Sequence, residues 1–249
     1  MNASAARVTV AVPSLNQGRY LAQALDSIFA QAVPVEVFVA DAGSTDETLE
    51  IIRRFEPRLA GWRSAPDAGQ SAAVNESVAR GTAPYVCWLN ADDHWMPGAL
   101  ERLVAALDAN PAAPMAYGRV WNEGPGGERR RNIEVRPFSE RLMAQFNLVA
   151  QPATLVRRTA WEAVGGLDTG LDMAMDYDLW WRLYRRFGAP AFVDEVIAAN
   201  RVHPATKTNT RRHDHYREAM AVVRRHYGRV PLKWYLAWPY AVWWRSLGS

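Results

Sequence analysis

Along the first 110 residues, apolar and polar positions fall into blocks whose period switches between two and 3.6. Val8–Val12 is a short β-branched run that stops at Pro13, the pattern of a strand buried on both faces. Tyr20–Ala32 takes up the helical period, with Leu21, Ala24, Leu25 and Ile28 on one face. Val35–Ala40 is a second strand, and it delivers Asp41. Ser44-Thr45-Asp46-Glu47 has the form of an S-x-x-E capping box, opening a helix with Leu49, Ile52 and Phe55. Arg63–Ser64 belongs to a short third strand. Helix over Gln70–Arg80, strand over Tyr85–Leu89 and helix over Pro97–Ala109 follow, the last with Leu100, Leu103, Val104 and Leu107 inward.

Strands that alternate with helices predict an α/β fold with a mostly parallel central sheet and right-handed crossovers. Ligands of such sheets bind beyond the carboxyl ends of the strands. Pro13-Ser14-Leu15-Asn16, Asp41-Ala42-Gly43-Ser44 and Asn90–Asp93 all fall at such ends. Past Asn110 the pattern changes. Met115–Trp121 reads as a strand and the Gly- and Arg-rich 122–131 as an exposed loop or hairpin tip. Asp176–Phe187 reads as a helix with Leu179, Leu183 and Phe187 on or near one face. Phe192–Arg201 reads as a strand, and His203 to Arg212 is polar. The expected division is a catalytic domain over 1–205, with a nucleotide-binding half over about 7–115 and an acceptor half over about 116–205, then a separate tail over 206–249.

A chain of 249 residues, 49% hydrophobic and 22% charged, is long enough to bury a sizeable core. A net charge of +3 does not call for a nucleic-acid partner. The lone cysteine, Cys87, lies within an apolar run, so packing is its expected role; no internal disulfide is open to it. Met1–Arg7 lacks the apolar core of a cleaved leader, and no run of about 18 apolar residues predicts a membrane span. A cytoplasmic location is expected. The tail changes that picture in one respect. From Lys207 to Lys233 it holds eight Lys or Arg against two acidic residues, and four Trp fall between Trp234 and Trp244. Either it seats on an anionic membrane surface, peripheral at the inner face, or its Trp pack on the main domain as helices.

The run Tyr85-Val86-Cys87-Trp88-Leu89-Asn90-Ala91-Asp92-Asp93 carries the candidate chemistry. A buried strand that ends in carboxylates can hold a hard divalent cation, which prefers oxygen ligands and often bridges to substrate phosphates. The same run also reads as a solvated turn before the next helix. Asp41 reads as an acceptor for a nucleobase or ribose, and Gly43 permits close backbone approach. Asp67, Gln70, Ser71 and Asn75 surround a helix start, where backbone N–H groups bind phosphate or sugar hydroxyls, or where Asp67 and Ser71 simply cap. Asp176 and Asp178 point about 200° apart on a helix, so one serves a cleft and the other does not.

Taken in order, Val10-Ala11-Val12-Pro13-Ser14-Leu15-Asn16, Asp41-Ala42-Gly43-Ser44-Thr45-Asp46, Asp67-Ala68-Gly69-Gln70-Ser71, Trp88-Leu89-Asn90-Ala91-Asp92-Asp93, Gly165-Gly166-Leu167-Asp168, Met175-Asp176-Tyr177-Asp178-Leu179 and Arg201-Val202-His203 resemble glycosyltransferase family 2, inverting enzymes of the GT-A fold. The resemblance spans roughly Val8 to Lys207. It implies transfer of a sugar from a nucleoside-diphosphate sugar to a hydroxyl of a glycan or lipid-linked acceptor. By the same resemblance Pro13, Ser14 and Asn16 line the nucleotide pocket with Ser44, Asn90 and Ala91, and Asp41 binds the base. Asp92, the last position of a D-x-D motif, holds Mg²⁺ or Mn²⁺ on the donor diphosphate together with His203. Asp176 is the general base. The resemblance sets Lys207 near the diphosphate, and by their position along the chain alone Gln151 and Trp180 fall on the acceptor side.

Two positions depart from the family pattern. Asn90 replaces the first acid of D-x-D and brings no charge, and Met175 stands where many relatives carry Glu. The base assignment then rests on Asp176, with Asp178 in reserve. Two other functions compete. A non-catalytic nucleotide-sugar-binding scaffold is one. The other is a sugar nucleotidyltransferase, which wants a Gly-rich basic loop after the first strand; here Pro13–Gly18 has one Gly and no Lys.

Overall fold

The computed structural model describes residues 5–204, 206–239 and 242. The strands are β1 (Val8–Ser14), β2 (Val35–Asp41), β3 (Gly61–Ser64), β4 (Tyr85–Trp88), β5 (His94–Trp95), β6 (Met115–Glu123), β7 (Arg129–Arg131), β8 (Thr154–Arg157) and β9 (Ala191–Arg201). The helices are α1 (Gly18–Phe29), α2 (Thr48–Phe55), α3 (Gln70–Arg80), α4 (Ala99–Ala109), α5 (Glu140–Met143), α6 (Arg158–Val164), α7 (Met175–Phe187), α8 (Lys207–Thr210), α9 (Arg212–Tyr227) and α10 (Leu232–Trp238). Each block that the sequence marks as strand or helix up to Asn110 forms, with ends shifted by a few residues.

The strands make one sheet in the order β3-β2-β1-β4-β8-β6-β9-β5, with β7 beside β6. From β3 to β4 all neighbours are parallel, as alternating strands and helices require. Their register sets Ser14 beside Asp41 and Asp41 beside Ser64, so polar residues from three strand ends meet on one edge. The parallel pattern stops at β8, which runs antiparallel between β4 and β6. Parallel pairing resumes between β6 and β9, while β6 also turns back into the hairpin strand β7. The 122–131 segment is that hairpin.

The core follows the periodic positions. Val8, Val10, Val12, Leu21, Leu25, Ile28 and Leu103 are fully enclosed. Beneath the acidic turn, Trp88 stacks on Trp180 at 5.8 Å and meets Trp161 edge-on at 6.0 Å. Cys87 is buried, and burial drives its thiol pKa far up, in keeping with a packing role. Phe187, expected near the inward face of α7, is 40% exposed, since it ends the helix beside Gly188.

The capping box does not form. α2 begins at Thr48, and Asp46 serves its start by accepting from the Thr48 N–H at 3.1 Å and from Gly18 at 3.0 Å. Ser44 is drawn off by a stronger neighbour, the buried Asp41 carboxylate, to which its hydroxyl donates.

Of the tail, α9 packs on α7. Asp178 is enclosed there between Arg182 at 2.6 Å and His226 at 2.7 Å. α10 is held by Trp234, which is buried and donates to the Ala144 carbonyl at 2.8 Å. Trp238 meets Tyr216 edge-on. Packing therefore accounts for these two Trp; Trp243 and Trp244 lie outside the described residues. Among the described residues no helix is long and apolar enough to cross a membrane.

Candidate active site

A cavity of about 610 Å³ opens over the carboxyl ends of β1, β2 and β4. Pro13, Ser14 and Leu15 form one wall, and Asp67, Gly69 and Gln70 at the start of α3 form the next. Asn90–Asp93 forms the floor. Gln151 and Pro152, the first turn of α7 and the 206–208 segment complete the rim. The volume suits a ligand of several hundred daltons.

The floor is an amide network that ends in carboxylates. Asn90 accepts from Gln70 Nε2 at 2.8 Å and donates to Gln151 Oε1 at 3.1 Å and Asp93 Oδ2 at 3.3 Å. Gln151 in turn donates to the Trp88 carbonyl at 2.7 Å. A carboxylate at position 90 could make neither donation, so the departure from D-x-D has a local reason. Burial, and the Asp92 carboxylate beside it, push Asp93 well above the usual carboxylate range. A third acid there would add to that repulsion.

Asp92 faces the cavity, and its Oδ2 lies 3.2 Å from His203 Nε2. Their 111-residue separation is closed by Arg201, a residue to which sequence reasoning gave no role. Its guanidinium donates to the Asp92 carbonyl at 2.8 Å and to Gln23 at 2.7 Å, and its backbone N–H donates to Asp93 at 2.9 Å. It lies 4.5 Å from the centre of the Tyr20 ring, whose centroid is 5.3 Å from that of His203. The one available signal was the residue's place at the end of a long strand, two positions before His203.

Asp176 lies in the first turn of α7 and lines the cavity. Its carboxylate accepts from the Tyr177 N–H at 2.7 Å and from Asn147 Nδ2 at 3.1 Å. Burial outweighs both bonds and raises its pKa to about 6. That value sits near neutrality, where a carboxylate accepts a proton most usefully. Asp178 does not share this cavity. Arg182 and His226 enclose it on the opposite side of α7, so it cannot stand in as the base.

Not every expected residue reaches the cavity wall. Asp41 is fully buried, and its carboxylate is used up by the Gly43 and Ser44 N–H groups and the Ser44 and Ser64 hydroxyls. Ser44 also accepts from the Asn16 N–H at 2.7 Å. Asn16 itself takes φ = 53°, a left-handed corner that Asn tolerates, and its side chain accepts from the Thr45 N–H at 2.9 Å. These three form a lock behind the wall, and Ala42 lines the cavity in place of Asp41.

Ser71 and Asn75 likewise serve the scaffold. Ser71 donates to the Leu171 carbonyl at 3.1 Å and to Met175 Sδ at 2.9 Å. Asn75 both donates to and accepts from the Leu167 backbone. Gly166, at φ = 67°, must be Gly, since a Cβ there would fall 2.6 Å from Asn75 Oδ1. Trp180 is packed beneath Trp88 and does not face the ligand space. Pro13, Ser14, Asp67, Gln70, Asn90, Ala91, Asp92, Gln151, Asp176 and Lys207 do line the cavity. His203 reaches it through Asp92. Lys207 donates to the Asp172 carbonyl at 2.9 Å and pairs with its carboxylate, as Arg211 does. Burial works against the Asp172 charge, but the two cations hold its pKa below the usual range.

Comparison with known proteins bears on the family and the fold. The sequence model described as Glycosyl transferase family 2 matches residues 9–160. Chondroitin synthase of Pasteurella multocida is 27% identical over 180 residues, covering 71% of this chain and 18% of that protein. An uncharacterized glycosyltransferase of Rickettsia prowazekii is 24% identical over 212 residues, covering 82% of this chain and 66% of that one. The chain thus spans about a fifth of the synthase. Among solved structures, the mannosyltransferase of Pyrobaculum calidifontis in complex with GDP-Man and Mn²⁺ superposes with a TM-score of 0.72 at 22% identity, covering 98% of this chain and 74% of that one. S. aureus TarS in complex with UDP-GlcNAc gives 0.71 at 18% identity, covering 88% and 66%. At such identities the superpositions establish a shared fold, the GT-A fold.

Proposed function

Because this chain belongs to glycosyl transferase family 2, we propose that it transfers a sugar from a nucleoside-diphosphate sugar to an acceptor hydroxyl, with inversion, in polysaccharide or glycoconjugate synthesis. One observation carries the reading: the Asp92–His203 pair and the Asp176 carboxylate belong to one cavity. Such a cavity holds a charged leaving group at one side and a proton acceptor at the other.

The donor lies along Pro13, Ser14 and Asp67, with its diphosphate toward Asp92. Asp176 accepts the proton of the acceptor hydroxyl as that oxygen attacks the anomeric carbon. The bond from that carbon to the diphosphate breaks as the new C–O bond forms on the opposite face. No enzyme-bound intermediate is needed, so an α-linked donor gives a β-linked product. The Asp92 carboxylate supplies the oxygen donor that Mg²⁺ or Mn²⁺ prefers, and the His203 imidazole beside it would be the second side chain at the ion. Among the described residues there is no cluster of three or more ionisable ligands, so Asp92 and His203 are the side chains that would hold the ion. Bound there, the cation supplies Lewis-acid stabilisation of the departing diphosphate. Lys207 adds a positive charge on the same rim.

The acceptor reading extends to a lipid-linked glycan at an anionic membrane surface. α10 turns Leu232, Tyr235 and Leu236 to solvent, at 68%, 49% and 71% exposure. Arg141 and Arg229 line a pocket of about 290 Å³ that Leu232 shares. An apolar helix face beside basic side chains is the composition of an interfacial anchor.

Calorimetry with UDP-, GDP- and dTDP-sugars, with and without Mn²⁺, tests the central reading. Metal-dependent binding of one nucleotide is expected. Folded protein that binds none of them, nor CDP- or CMP-sugars, overturns it.

A further inference from the structure

The segment that brings Asp176 to the cavity has little side-chain support of its own. Ala174 precedes α7 and offers no capping group. The N–H groups of Asp172, Met173 and Ala174 point instead at one carboxylate oxygen, Glu218 Oε2, at 3.1, 2.7 and 3.1 Å. Three successive N–H groups around one oxygen form an anion-binding nest, here filled by a side chain of the same protein. Glu218 lies on α9, outside the stretch that the family shares. One turn earlier on the same helix, His215 lies against the Met173 backbone. Asp172, Met173, Met175 and Asp176 all line the cavity, so the gripped segment is its wall.

We propose that Glu218 is a positioning residue for transfer: by binding three backbone N–H groups it sets the backbone that presents Asp176 to the acceptor. The inference rests on the assignment of Asp176 as base. It differs from a purely structural role in its reach. α9 is already tied to α7 through His226 and Arg225, which both pair with Asp178, and Arg211 at its N-terminus pairs with Asp172 of the loop. Loss of Glu218 therefore leaves the helix docked and frees only the nest. A displacement of about 1 Å at a reacting group costs about 100-fold in rate.

The test uses Glu218→Ala and Glu218→Gln in the full chain. Rates are read as nucleoside-diphosphate release from UDP-GlcNAc or GDP-mannose, whichever calorimetry shows to bind. Glu218→Ala is expected to lower kcat about 10- to 100-fold, with donor Kd near wild type and the protein still folded at the assay temperature. Amide exchange should speed up at residues 172–174 alone. Added formate, small enough to enter the vacated nest, should recover part of kcat. Glu218→Gln retains an acceptor oxygen and should lie between. Wild-type kcat in Glu218→Ala overturns the proposal, as does a loss that follows the thermal midpoint and ignores formate. Asp176→Asn is run alongside: if it turns over normally the base assignment fails, whereas if it is inactive and Glu218→Ala is normal only the positioning role fails.

Discussion

Asp176 carries the strongest expectations at the scale of single residues. With a pKa near 6, it loses its capacity to accept a proton as pH falls through that value. Turnover should therefore drop on the acid side with a midpoint near 6, read from a kcat profile. Asp176→Asn should lower kcat by about 10²- to 10⁴-fold while donor binding persists in calorimetry. The same residue has a stability signature. Its folded pKa lies above the ordinary 3.8, so the folded state binds more protons and stability falls as pH rises between about 4 and 6. The thermal midpoint of Asp176→Asn, relative to wild type, should consequently rise across that window. A flat difference would show that burial does not raise this carboxyl. Asn90 makes a separate case. Asn90→Asp sets a third acid beside Asp92 and the buried Asp93 and removes the donations to Gln151 and Asp93. It should cost about 1–3 kcal/mol of unfolding free energy at neutral pH, and part of that should return with Mn²⁺ and donor together.

Between elements, the turns after β1, β2 and β3 behave as one unit. Asp41, Ser44, Asn16 and Ser64 close a network whose donors have no other partner of comparable charge. Asp41→Ala would leave buried N–H groups of Gly43 and Ser44 unsatisfied. The expected loss is about 2–4 kcal/mol in urea unfolding, with donor preference unchanged in whatever folded protein remains. A changed nucleotide preference at full stability would return Asp41 to a binding role. The same logic separates Ser71 and Asn75 from Gln70. All three lie on α3, yet of them only Gln70 turns toward the cavity, while Ser71 and Asn75 hold the segment that leads to α7.

Across the whole molecule, α9 and α10 dock on segments distant in sequence. Trp234 docks on Ala144, and Glu218 on the wall of the cavity. What α10 leaves uncovered is the face of Leu232, Tyr235 and Leu236. Wild-type protein should cosediment with vesicles rich in phosphatidylserine and not with phosphatidylcholine alone. Leu232→Asp with Leu236→Asp should abolish that binding without loss of donor affinity. Equal recovery on both vesicle types would remove the anionic membrane from the reading.

The order of strands and helices to Asn110, the edge over which the cavity opens and the acidic turn at its centre are all legible in the chain itself. Each rests on local period and on the rule that parallel strands share one open end, and neither needs a distant partner. The family motifs likewise brought Asp92, Asp176 and His203 forward by residue type and order. Which polar side chains turn toward the ligand was a tertiary matter. Asp41 and Ser44 look like ligands in sequence because they are polar at a strand end, but their hydrogen bonds are spent on Gly43, Asn16 and Ser64. Arg201 showed only its place at a strand end before His203, and Glu218 showed nothing, since each acts on backbone that lies 40 or more residues away. The insertion of β8 antiparallel to β4 was equally beyond local reading. A hydrogen-bond donor is committed by the nearest strong acceptor in space, and only the folded chain decides which acceptor that is.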